Sequence, residues 1–108
     1  MNKGENIVKT NDEVKKDLND IRFYYSRREL FDKSEIAENS VIRLAEKYNS
    51  LMKDIPPRLF EIYMGLYVNG NTQEGMALDE GYTLVYVNRT NIQLIEFLKH
   101  KLNEEEKT

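Results

Sequence analysis

The stretch Asn71–Leu98, NTQEGMALDEGYTLVYVNRTNIQLIEFL, reads as a short helix, a tight turn and a longer helix. Thr72 suits the N-cap of the first, where a hydroxyl can accept one of the amide hydrogens that a first turn leaves unpaired. Met76 and Ala77 then face inward. Gly81 falls where that helix must stop, because glycine takes the left-handed C-cap conformation without a Cβ clash. Thr83 can cap the second helix. From there Val87, Asn91, Leu94, Leu98 and Leu102 recur at steps of three or four and mark one face of that helix. A pair built this way can offer its second helix, 83–98, to the major groove of DNA. Its outward positions are Leu84, Val85, Tyr86, Asn88 and Arg89. Asn88 and Arg89 can read base edges bidentately, and Val85 or Leu84 can touch a thymine methyl. Thr72 and Gln73 stand where a helix N-terminus meets a phosphate. The candidate DNA-binding residues are therefore Thr72, Gln73, Thr83, Val85, Tyr86, Asn88 and Arg89.

The run Tyr82–Val87 favours a strand on propensity alone. No second strand-like run lies nearby to pair with it, and a lone strand is unstable in water. A helix is therefore expected.

The run PPRLFEIYMGLYVNGNTQEGMALDEGYTLVYVNRTNIQLIEFL resembles the fourth conserved region of sigma factors, and still more the phage-type late-transcription regulators of the RinA and ArpU kind. The points of likeness are Pro57 and Arg58 opening a helix, Tyr67 to Gly70 closing it, Thr72 with Glu74, Ala77, Gly81 to Thr83, and Val87. The segment YYSRRELFDK, Tyr24 to Lys33, extends the likeness to residues 12–103. The resemblance implies a transcription regulator of a phage or mobile element, acting on DNA and RNA polymerase. Two departures stand out. Gly75 occupies the third helical position after Thr72, where the family carries a glutamate that completes a capping box, so the first helix of the motif is expected to fray. Arg89 is the one cation on a helix where the family carries two or three.

At 108 residues, with 40% hydrophobic and 32% charged, the chain has the composition of a single folded domain rather than of a disordered segment. No apolar run approaches the roughly 20 residues needed to cross a bilayer, and the polar start lacks a signal-peptide core, so a cytoplasmic location is expected. The absence of cysteine excludes disulfides and thiolate metal sites, and one histidine, His100, excludes a histidine cluster. No cofactor or metal is expected. A glycine-rich phosphate loop, a nucleophile elbow and a distinctive carboxylate pair are all missing, which argues against an enzyme.

Taken in order, residues 1–11 have no sustained period and read as a loose arm. A helix is expected from near Asp12, with Val14, Leu18, Ile21 and Tyr25 on one stripe, widened by Phe23, Tyr24, Leu30 and Phe31. Such a surface suits two neighbours, one of them from a second subunit. Ser34 or Ser40 can cap the next helix. Val41, Leu44, Ala45, Tyr48, Leu51, Met52 and Ile55 give an amphipathic pattern that Pro56 ends. Pro57 then suits a first helical turn. Leu59, Phe60, Ile62, Tyr63, Leu66 and Tyr67 make the next helix apolar on most sides, a central strut, in which Gly65 permits a close crossing. The expected fold is all-α, about five helices, with an N-terminal helical region 12–55, a helix-turn-helix region 56–103 and an acidic tail 104–108.

Charge divides unevenly. Residues 1–58 hold twelve Lys and Arg against eleven Asp and Glu; residues 59–108 hold four against eight. An acidic recognition module binds DNA weakly alone, because phosphate neutralisation supplies most non-specific affinity. A dimer would add two weak modules. The competing reading is a non-enzymatic interaction module of the same fold that binds and inhibits a related transcription regulator or RNA polymerase, with its acidic face as a partial DNA mimic. Packing roles for Tyr82 and Tyr86, and surface pairing of Arg27 and Arg28 with Glu29 or Asp32, are the bland alternatives to nucleic-acid contact.

Overall fold

The computed structural model describes residues 9–29 and 40–107. These form five α-helices and one π-helical segment, with no strand among the described residues: α1 (Asn11–Ser26), α2 (Ser40–Ser50), α3 (Pro57–Ile62) running into the π-helical segment (Tyr63–Val68), α4 (Gln73–Glu80) and α5 (Leu84–Lys107). The all-α expectation holds. Leu30, Phe31, Asp32 and Ser34, together with residues 1–8, lie outside the described residues.

Helix α1 starts one residue earlier than its apolar stripe suggests, because Thr10 and Glu13 form a reciprocal capping box. The last residues of the supposed arm belong to the fold. The Lys9 backbone N–H donates to Asn103 Oδ1 at 2.8 Å, and Asn11 Nδ2 donates to Glu96 Oε2 at 3.0 Å. That second bond, with Lys99 nearby, holds the Glu96 carboxyl below its ordinary range. Val14, Leu18 and Ile21 are fully buried, while Phe23 stays exposed. Helix α1 meets α2, the π-helical segment and α5 within the protomer; Leu30 and Phe31, which widen its apolar face, lie outside the described residues. Regions 12–55 and 56–103 share one core.

Helix α2 buries Ala45 and Tyr48 but stops at Ser50, five residues short of the point where Pro56 would end it. Residues 51–54 turn instead, and Asp54 adopts φ 66°. The turn lets Leu51 stay buried on the core side while the chain reverses into α3. Pro56 is the N-cap and Pro57 opens α3, where the missing N–H is no loss. Leu59, Ile62, Tyr63, Leu66 and Tyr67 are buried along this strut; Phe60 is exposed. Each fully buried aliphatic side chain contributes about 1.5–3 kcal/mol.

Tyrosine hydroxyls tie the helices together. Tyr48 donates to Asp17 on α1 at 2.7 Å, Tyr63 to Asn49 on α2 at 2.8 Å, and Tyr67 to Asn91 on α5 at 2.7 Å. Burial chiefly, aided at Tyr48 by the Asp17 carboxylate, raises the pKa of all three above the ordinary phenol value.

Helix α5 runs through to Lys107, so the expected tail from Glu104 is its last turn. Glutamate and lysine are good helix formers, and His100 Nε2 lies 2.9 Å from Glu104 Oε2 one turn on. Among the described residues no helix is long and apolar enough to cross a membrane.

Candidate nucleic-acid interface

The turn between α4 and α5 is built from local signals. Thr72 is extended at φ −90° and ψ 165°, and its Oγ1 accepts from the Gly75 N–H at 2.9 Å. The expected fraying is absent, for a reason specific to this sequence. Asn71 Oδ1 accepts the Thr72 N–H at 2.9 Å, the bond that a glutamate at position 75 would otherwise make. A Cβ at position 75 would run into that same oxygen, so Gly75 is what leaves room for the substitute cap. Helix α4 ends at Gly81 with φ 75°, and Thr83 Oγ1 accepts from the Tyr86 N–H at 3.0 Å to open α5.

The strand-favouring run Tyr82–Val87 enters this helix at Leu84, where the Thr83 cap opens the first turn. Val87 is fully buried. The Tyr86 ring lies tilted, its centroid 4.7 Å from that of Tyr82, whose hydroxyl donates to Glu61 Oε1 at 2.8 Å; that bond is the main reason its pKa is pushed up to about 12. Behind them Thr90 is buried, with its hydroxyl donating to the Tyr86 carbonyl at 2.7 Å. The inner face of α5 continues through Leu94, Ile95, Leu98 and Leu102.

The outer face of the α5 N-terminus is open. A groove of about 490 Å³ runs between α1, the start of α4 and the start of α5, lined by Arg22, Thr72, Gln73, Glu74, Leu84, Val85 and Asn88. Four expected contact residues, Thr72, Gln73, Val85 and Asn88, are thus brought to one surface, and Arg89 is exposed beside Asn88 on α5. Two others sit differently. Tyr86 is half-buried against Tyr82, and Thr83 spends its hydroxyl oxygen on the cap, so both shape the turn rather than face the groove. Arg22, Glu74 and Leu84 line the groove without being in the sequence-based set, and of these Arg22 is the cation. It follows Val14 and Leu18 at four-residue spacing, a cation continuing an apolar stripe, and that interruption is the signal the sequence offers.

The surroundings are mixed in character. Glu74, Asp79 and Glu80 are exposed on α4, and Leu78, Leu84 and Val85 are exposed at 83%, 46% and 64%. No protein-family model, curated protein or solved structure matches the chain.

Proposed function

We propose that the chain is a helix-turn-helix regulator of transcription that reads DNA through the N-terminal part of α5. The observation that carries this reading is the division of that helix. Val87, Thr90 and Leu94 are buried, while Val85, Asn88 and Arg89 stand free beside the capped start of α4. Asn and Arg are the side chains best suited to bidentate contact with adenine and guanine edges, and Val85 is suited to a thymine methyl. The likeness to RinA-type and ArpU-type regulators points the same way, toward a phage or mobile element and toward RNA polymerase as a working partner. With four cations against eight acids in the second half, one module is weak, which favours action as a dimer on paired half-sites. Titration onto a mixed-sequence duplex at about 50 mM and 200 mM salt tests the reading, with steep loss of affinity at the higher salt as the expected result. Negligible binding at both would overturn it.

A second reading has its own support. Exposed Leu78, Leu84 and Val85, set among Glu74, Asp79 and Glu80, suit a protein partner better than a polyanion. In that case the chain inhibits a related regulator or RNA polymerase by occupying its DNA-facing surface. A pull-down from infected cells that recovers such a protein, with no DNA affinity, favours this alternative.

A further inference from the structure

We infer that Arg22 of α1 is a DNA-backbone contact, a cation that the acidic helix-turn-helix takes from outside its own sequence. This rests on the DNA-binding reading above. Arg22 lines the same groove as Val85 and Asn88, so a phosphate it meets belongs to the duplex whose bases those residues face. Its Nη2 donates to the Gly70 carbonyl at 3.0 Å, which fixes the guanidinium at the entrance to the motif. A guanidinium presents five N–H donors, and this bond occupies one. Lys16, elsewhere on the same helix, is by contrast paired with Asp20 at 3.0 Å. Arg22 forms no ion pair with a carboxylate of the described residues. Because it is half-buried and anchored, little side-chain freedom remains to be lost on binding. Glu74 opposes it from the same groove, an exposed carboxylate that repels the phosphate Arg22 attracts.

The test is a salt titration by fluorescence anisotropy on a labelled mixed-sequence duplex, using the full chain and the variants Arg22→Gln, Arg22→Lys and Glu74→Gln. One phosphate contact contributes about 0.9 to the slope of log affinity against log salt. Arg22→Gln should therefore shrink the affinity ratio between about 50 mM and 200 mM salt by about 3.5-fold, uniformly across sequences. Arg22→Lys should keep the parental slope, and Glu74→Gln should bind more tightly. A merely structural tie between Arg22 and Gly70 would not move the slope. An unchanged slope in Arg22→Gln overturns the assignment and leaves the DNA reading standing. No binding by the parent overturns both. If circular dichroism shows Arg22→Gln unfolded, Arg22→Met, which keeps the aliphatic stem without the charge, decides, and a parental slope in that variant overturns the assignment.

Discussion

The thioether of Met76 rests on the backbone of Gly65, where a Cβ would stand 2.6 Å from Sδ and 2.8 Å from Cε. The first helix of the motif is therefore seated on the π-helical segment by one glycine and one flexible side chain. Met76 is 3% exposed, so its displaced end has no solvent to move into. Gly65→Ala should cost about 1 kcal/mol in urea unfolding, overpacking outweighing the usual helical gain over glycine. In a Met76→Ala background, itself costing about 2–5 kcal/mol, the same change should become neutral or favourable. Equal costs in both backgrounds would show that this contact does not set the penalty.

The substitute cap at the start of α4 makes a paired prediction. Asn71→Ala leaves the Thr72 N–H without its partner and should destabilise by about 1 kcal/mol. Adding Gly75→Glu to that variant should recover most of the loss, since the Asn71 oxygen no longer blocks a Cβ and the carboxylate can complete a capping box like that of Thr10 and Glu13. Thermal melts of the single and double variants check this. Failure of the double variant to rise above Asn71→Ala would rule out the exchange.

Four of the seven tyrosines, Tyr48, Tyr63, Tyr67 and Tyr82, have folded pKa values above the ordinary 10.0. The folded chain then holds more protons than the unfolded chain at alkaline pH, and stability must fall as pH rises. Their contribution is complete below about pH 10 and is lost as pH climbs through the folded values. Tyrosinate absorbance from these four should rise together with the loss of helical signal. A single stage near the ordinary value, with helices intact, would contradict the buried hydroxyl network.

On a duplex selected from a random pool, Arg89→Ala and Asn88→Ala should each lose about 1–3 kcal/mol of discrimination at their own base positions. Oligomeric state, measured by light scattering, should not change, because both side chains are exposed. Retained preference in both variants would move base reading elsewhere.

The caps and stripes were legible because their causes are local. Thr72, Gly81 and Thr83 act within one turn of themselves, and Val87, Leu94, Leu98 and Leu102 follow the helical period into the core. Other features were not. The capping role of Asn71 depends on a side chain folding back over a glycine, which no periodicity records. The early end of α2 depends on a left-handed Asp54, a residue type that tolerates that conformation without advertising it. Arg22 reaches the groove only through a bond to Gly70, 48 positions away. The candidate surface was thus plain on α4 and α5, while on α1 the sequence offered only a cation following Val14 and Leu18 at helical spacing.

The π-helical segment keeps a different count from the helices around it. Its closing bond joins the Asn69 N–H to the Met64 carbonyl at 2.8 Å, a ring one residue larger than an α-helix would close. Excising one residue there would let the strut rewind as uninterrupted α-helix. Everything downstream would then swing by roughly 100° about its axis, the angle one α-helical residue subtends. Asn88 and Arg89 would be carried out of line with α1. The direction in which Asn88 and Arg89 face is set by one extra residue in a helix to which neither belongs.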